Sequence, residues 1–417
     1  MRVCVLGSGP IGIDFAVNAV ARGFHVTLLE RGASIAQNVC DWQHVQLFSP
    51  WHMNVSKQGK QVLEGMGRDI TVFDSETVYP SGKELVDTYL HPLAEYLRKS
   101  GHCDVQTSTE AIAIGRGHFL KGQAIGSKRK GTPFTVQYKF LHDGSYGKLV
   151  ADVVVDATGT YGNGNWLGAG GIPALGEQDV TMKITRDIPN VLELRNRFLG
   201  HSTAVVGSGA SAITTLNALK DLASQNGEAT VEVHWITRHG DSPYKRVEND
   251  PLPQRDRLAV LGNELAKGDS AGCPSNFKLT YHGHQHLHSI RQVDPNTLEM
   301  DLESDPVEGD AKYSKIQAHN VVANVGYRPC TDLHRELQVH QCYATEGPMK
   351  LAAALMAASG DASGDCLQQV APGAQTMLNP EPDFFVIGMK AYGRSSAFLM
   401  RIGFEQVASV MELIDAP

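Results

Sequence analysis

Val3-Cys4-Val5-Leu6-Gly7-Ser8-Gly9-Pro10-Ile11-Gly12 is the stretch whose reading decides the fold. Residues 1–6 read as a short buried strand, apolar except at Arg2, and 13–22 read as a helix entered straight from the glycine loop. Each glycine answers a different steric demand. Gly7 permits the sharp turn out of the strand, Gly9 lets a pyrophosphate approach the backbone, and Gly12 lets helix and strand pack closely. The helix N-terminus adds free N–H groups and a positive dipole end. The next strand, 25–30, ends in Glu30, eighteen residues beyond Gly12, where a carboxylate can hold a pair of ribose hydroxyls. Strand, loop, helix and spaced acid together predict a dinucleotide site contacted by Gly7, Gly9, Pro10, Ile11, Gly12, Glu30 and Arg31.

The same unit recurs 200 residues later. Thr203-Ala204-Val205-Val206 is an apolar strand, Gly207-Ser208-Gly209-Ala210-Ser211-Ala212 the loop, 213–222 a helix and 231–237 a second strand. Ala212 takes the third small position, which the helix–strand contact tolerates. This strand ends in Arg238 in place of an acid. A cation there meets a 2′-phosphate that a carboxylate would repel, so NADPH is expected over NADH. A solvated arginine at a strand end is the plainer alternative.

Length and composition fit this picture. A chain of 417 residues is expected to form two domains. Its 42 glycines are about one residue in ten against a background near 7%, which suits phosphate-cradling loops. A net charge of −8 offers no basic face for nucleic acid. Seven scattered cysteines, none in a C-x-x-C pair, suggest free thiols in a reducing, cytoplasmic setting and no dithiol relay. No stretch approaches the roughly 20 apolar residues of a membrane span.

With both loops in view, the chain resembles the flavin-containing monooxygenase and flavoprotein pyridine nucleotide reductase superfamily. The residues that carry the likeness extend along most of its length. Asp152-Val153-Val154-Val155-Asp156-Ala157-Thr158-Gly159 looks like the strand ending in Ala-Thr-Gly that leaves the FAD domain of such proteins. Val325-Gly326-Tyr327-Arg328-Pro329, after an apolar run from Val321, resembles the strand returning to it. Phe384-Phe385-Val386-Ile387-Gly388 is similar to their last FAD-domain strand, followed by a helix over 396–413. The segments 42–50 and 78–85, the latter leading into a helix over 86–98, look like the monooxygenase branch. Two family marks are missing. Arg186 to Val191 stand where an F-x-G-x-x-x-H fingerprint is usual, and there is no C-x-x-C.

The resemblance implies an α/β fold of two Rossmann-like dinucleotide-binding domains. An NAD(P)H domain (179–315) is inserted into a three-layer FAD domain (1–178 and 316–417), with an antiparallel excursion over 106–146. FAD and NADPH are the implied cofactors, with Thr158, Gly159, Gly388 and Arg394 added to the contacts. Trp42, His44, Ser49, Trp51, His52, Asn54, Lys390, Tyr392 and Ser395 are candidates to surround the flavin, each as readily a structural hydrogen-bonder as a catalyst. The leading expectation is a monooxygenase that oxygenates a small molecule through a C4a-hydroperoxyflavin, with molecular oxygen as co-substrate. The alternatives are a reductase or oxidase serving a quinone, metal species or carrier, and a non-catalytic redox sensor.

Other stretches read as structure. His282, His284, His286 and His288 alternate along an expected strand over 277–287 and would share one face, solvated in preference to metal-bound. Lys128-Arg129-Lys130 suits a hairpin tip, 242–255 a long loop, and 357–375 an exposed Ala/Ser/Gly-rich loop.

Overall fold

Short apolar strands build two parallel sheets, and in each sheet one strand runs through a glycine turn straight into a helix. The computed structural model describes residues 1–415, apart from 228, 241, 245, 248–249, 269–271, 305–311 and 360–372. The first part of the chain carries β1 (Arg2–Leu6), helix α1 (Pro10–Ala21), β2 (His25–Leu29), β3 (Cys103–Gln106), β4 (Thr109–Arg116), β5 (Phe134–Phe140), β6 (Tyr146–Ala151) and β7 (Val153–Asp156). The middle carries β8 (Ile184–Thr185), β9 (Ser202–Val206), helix α2 (Ala210–Gln225), β10 (Val231–Ile236), β11 (Phe277–His282), β12 (Gln285–Asp294), β13 (Thr297–Ser304), β14 (Tyr313–Ala318) and β15 (Asn320–Ala323). The last part adds β16 (Phe384–Val386) and helix α3 (Met400–Asp415).

Two compact units result, one of residues 1–163 with 327–417, the other of 164–326. Their sheets have the same plan. The first runs β16-β7-β1-β2-β3 and the second β8-β15-β9-β10-β11, all parallel. Each unit adds a three-stranded antiparallel sheet, β4-β5-β6 or β12-β13-β14. In the second unit the layering is explicit. Leu287, Ile290, Met300 and Leu302 of the antiparallel sheet pack with Ala204, Val206 and Val321 on one face. Val205, Val233 and Trp235 pack with Ile213, Leu216 and Leu219 of α2 on the other.

This plan moves the boundaries expected at 178/179 and 315/316. Residues 164–178 belong to the second unit because Gly168 and Leu175 bridge to Leu287 and Ser289 of β12. The run from Val321, expected in the first domain, is β15 of the second sheet and pairs with β9. It does there what β7 does beside β1. Leu6 faces Asp156 and Val206 faces Ala323, so Ala157 and Asn324 are equivalent positions. The shared place beside a glycine-loop strand explains why both strands read alike in sequence.

Four local expectations also change. The strand over 277–287 is broken at Gly283-His284, where His284 adopts φ 55, so the histidines divide between β11 and β12 and share no single face. Arg129 is no hairpin tip. It is fully buried beside Glu381, where its charge is compensated. A helix starts at Pro253 inside the expected loop. A helix also covers Met349–Ser359, while 360–372 of the other expected loop lie outside the described residues.

Candidate functional site: two glycine cradles

In the first cradle, Gly7 leaves β1 at φ +90, and its N–H donates to Leu29 O at 2.8 Å. A side chain here would meet Ala157 O at 2.7 Å, so the position is closed to anything larger. Nothing lies within 4 Å of the place a Cβ would occupy on Gly9. That space is where a phosphate could come against backbone. Gly12 is pressed against the Gly7 carbonyl, close enough that a methyl would overlap it. Pro10 opens α1 without losing a needed N–H, and no acidic side chain stands in the first turn to compete with an anion.

Glu30 is held over this loop by three donors. Its Oε2 accepts from Ser8 N at 2.9 Å and Ser8 Oγ at 2.7 Å, and its Oε1 from Gly32 N at 2.7 Å. A carboxylate has about four lone-pair directions, so capacity remains for a ribose hydroxyl. Arg31 lies 3.9 Å from Glu110 and beside Gly162.

Three further segments converge on the cradle. Ile11 wedges against Gly388 and Gly403, whose lack of a side chain admits it. Gly388 turns at φ +71 and donates to Gln406 Oε1 at 2.7 Å. Thr158 and Gly159, the latter at φ +67, form the turn after β7. Nearby, Gln406 Nε2 and Tyr392 Oη are buried with no hydrogen-bond partner. Burial, then the charge of Glu405, pushes the Tyr392 phenol up to about 12, so it remains a donor. Arg394 is engaged with Glu346 at 2.7 Å. Open space at Gly9, a preformed acid and orphaned buried donors and acceptors are what a resident FAD would complete.

The segments 42–54 and 78–83 meet. Leu47 N donates to Pro80 O, Gly82 N to Val45 O and Trp51 N to Val78 O, at 2.8 to 3.0 Å. Trp42 lies over Gly82, and its Nε1 is a buried donor with no partner. Ser49 and Asn54 are buried and mutually bonded, with Asn54 Nδ2 donating to Ser49 O and Pro50 O. Trp51 is buried against Phe73, while His44 and His52 are exposed. His52 also lines a cleft of about 380 Å³ with Val55, Lys57, Lys60, Phe73 and Asp74, to which no glycine-loop residue contributes.

The second cradle repeats the first. Gly207 (φ +123) donates to Ile236 O at 3.0 Å and is closed by Asn324 O, and Gly209 is open. Trp235 Nε1 braces the Gly207 carbonyl at 2.8 Å. Ser208, Ala210 and Ser211 are partly exposed at the entry to α2. Arg238 is exposed at the end of β10, just after buried Thr237. His234 and His282 lie on neighbouring strands, 3.2 Å apart between ring nitrogens. Among the described residues no three metal-ligating side chains gather.

Residues 1–242 match the family model of the pyridine nucleotide-disulphide oxidoreductases. The chain belongs to that family. It is an FAD-dependent pyridine nucleotide oxidoreductase with the Rossmann-type fold of its relatives. No curated protein sequence matches it. Solved structures resemble it over almost its whole length. The bacillithiol disulfide reductase of Bacillus cereus covers 99% of each chain at 16% identity and TM-score 0.63. The FAD-bound cadaverine monooxygenase of desferrioxamine biosynthesis from Erwinia amylovora covers 99% of this chain and 94% of its own, at 12% and 0.64. The ornithine N-hydroxylase of Kutzneria sp. 744 covers 99% of each at 16% and 0.61. At such identities the likeness is one of fold. Among the described residues, no helix is long and apolar enough to cross a membrane.

Sequence reasoning missed Asp156, which pairs with Lys390, His334 beside Asp156, and Asn324, which closes the second loop. Asp156 was visible as the one charged residue inside an apolar strand.

Proposed function

We propose that this oxidoreductase is an NADPH-dependent flavin monooxygenase acting on a small molecule. FAD is assigned to Gly7, Gly9, Pro10, Ile11, Gly12, Glu30, Arg31, Thr158, Gly159, Gly388 and Arg394. NADPH is assigned to Gly207, Ser208, Gly209, Ala210, Ser211 and Arg238. The observation that carries the reading is the state of the cysteines. None of the described ones is paired, and no two stand in a C-x-x-C. Cys4 is sealed in β1, where burial drives its thiol up, and burial pushes Cys103 up to about 12. Cys342 is shifted the other way, lowered by its hydrogen bonds at Thr345, but a single thiol makes no dithiol relay, so the electrons are better spent on something that diffuses in.

Bound FAD supplies the two-electron step and the activation of oxygen. The chain's task is to bind, orient and keep water away. The α1 N-terminus would hold the pyrophosphate, Glu30 the ribose, and Arg238 the 2′-phosphate that separates NADPH from NADH. Buried Ser49, Trp51 and Asn54, with half-buried Trp42 over Gly82, close onto 78–83 and are suited to excluding water. His44 and His52 are the imidazoles of that segment, and Tyr392 holds its proton at the opposite turn.

A second reading has its own observation. The missing F-x-G-x-x-x-H fingerprint favours a reductase or oxidase that hands electrons to a quinone, metal species or carrier. One experiment separates them. The NADPH-reduced protein is mixed with ¹⁸O₂ in the presence of amines, thioethers or ketones. Label in an organic product supports oxygenation, whereas peroxide or water alone with every substrate class supports the second reading. A flavin that NADPH never reduces anaerobically would sink both.

A further inference from the structure

Lys390 is a buried cation of the first unit that neither reading uses. It is 2% exposed, in the turn that follows β16. Its ammonium reaches back to the end of β7, donating to Asp156 Oδ2 at 2.7 Å and to Thr158 Oγ1 at 2.9 Å. Asp156 Oδ1 in turn receives Thr158 Oγ1 at 2.7 Å and Thr158 N at 3.2 Å. His334 Nδ1 stands 3.4 Å from Asp156 Oδ2, at ion-pair distance but outside hydrogen-bond alignment. Asp156 and His334 are both buried.

A lone buried ammonium or carboxylate is costly, and a pair repays that cost only when its geometry and added hydrogen bonds are good. Here both conditions hold. Burial by itself would raise the Asp156 carboxyl, but Lys390 and then His334 outweigh it and hold it well below the usual carboxylate range. The Asp156 carboxyl is therefore ionised at neutral pH. The pair joins the two turns, Thr158-Gly159 and Gly388 to Tyr392, that are assigned to the cofactor.

We propose that Lys390 is a positioning residue of the FAD site, locking the Thr158-Gly159 turn to the Gly388 turn and setting the flavin's reduction potential through its buried charge. The inference rests on the assignment of FAD to the first cradle. Lysine has three donors, and two are spent on Asp156 and Thr158. Removing it frees the Thr158 turn and leaves Asp156 without its strongest counter-charge. An uncompensated anion between the two turns assigned to the cofactor disfavours added electrons on a flavin bound there, so the potential should fall.

The test uses the full-length protein, stripped of flavin and titrated with FAD by fluorescence quenching, followed by reductive titration against redox dyes. Lys390→Met is expected to bind FAD at least tenfold more weakly and to hold a flavin of more negative potential. Lys390→Arg, which keeps the charge, should recover most of the potential. If Lys390→Met does not fold, Lys390→Met/Asp156→Asn removes both buried charges and should still bind FAD weakly. Wild-type affinity and potential in Lys390→Met, or in the double variant, would overturn the proposal while leaving the FAD site intact. A wild-type chain that takes up no FAD would overturn the site assignment and this inference with it.

Discussion

The Gly12 backbone lies so close to the Gly7 carbonyl oxygen that no side chain fits between them. Gly9, three residues before Gly12, has open space where its Cβ would be. One glycine is therefore needed by the fold and the other by the ligand. Gly12→Ala should destabilise the flavin-free protein by ~1–3 kcal/mol, because a backbone oxygen cannot swing aside as a side chain can. Gly9→Ala should leave the melting temperature of the flavin-free protein unchanged and weaken FAD binding. Thermal unfolding with and without FAD reads both effects, and equal behaviour of the two variants would contradict the division of roles.

Arg238 is the residue proposed to carry the nucleotide preference. It stands exposed two residues past β10, one position beyond Thr237, the equivalent of Glu30 in the first unit. A charge-assisted contact to a phosphate contributes roughly 1.5–3 kcal/mol, or about tenfold and upward in affinity. Arg238→Ala should raise the Kd for NADPH by that factor and leave NADH nearly unchanged. Equal weakening of both nucleotides, measured on the oxidised enzyme, would remove Arg238 from the 2′-phosphate.

Both glycine loops were legible in sequence because their constraints are local. A strand, a turn at positive φ and a helix within fifteen residues leave little freedom, and the described geometry of Gly7 and Gly207 follows the same rule. What was not legible depends on distant pairing. β15 reads like β7 because both lie beside a glycine-loop strand, and nothing in Val321 to Ala323 says which sheet it joins. Arg129 looked like a surface cation because its partner, Glu381, is about 250 residues away. The histidine run misled for the opposite reason, since a tight turn at His284 cancels the alternation that a strand would impose.

That distant pairing yields its own prediction. Arg116 and Arg129 are fully buried, and Glu381, also buried, lies 3.8 Å from the first and 3.3 Å from the second. Arg116 is better satisfied, stacking on Phe134 at 4.0 Å and donating to Pro382 O and Arg129 O at 2.7 and 2.8 Å. Arg129 keeps Nε and Nη2 without hydrogen bonds, so Glu381 is its main compensation. Glu381→Gln should cost about 3–5 kcal/mol, the usual penalty for stranding a buried charge. Urea unfolding of the flavin-free protein measures it. A loss no greater than that of an exposed pair such as Arg2–Asp152 would show that Arg129 draws its compensation elsewhere.

Asp14 gives the protein a pH dependence of definite sign. It is buried in α1 and accepts a hydrogen bond from Ser56 Oγ. That hydroxyl in turn accepts from Gly59 N at 2.8 Å and from Tyr89 Oη at 3.2 Å. Burial pushes the Asp14 carboxyl up to about 7, with the Ser56 hydrogen bond opposing it. In the unfolded chain the same group titrates near pH 4. Between about pH 4 and 7 the folded state therefore keeps a proton that the unfolded state releases. Stability falls as the pH rises through that window, by up to about 1.4 kcal/mol per pH unit, and this contribution is constant above it. Asp14→Asn keeps an oxygen for Ser56 and has nothing to ionise. The variant should lose less stability than wild type between pH 5 and 8, with its urea midpoint gaining on wild type at the upper end. Parallel curves across that range would place the Asp14 titration outside the window.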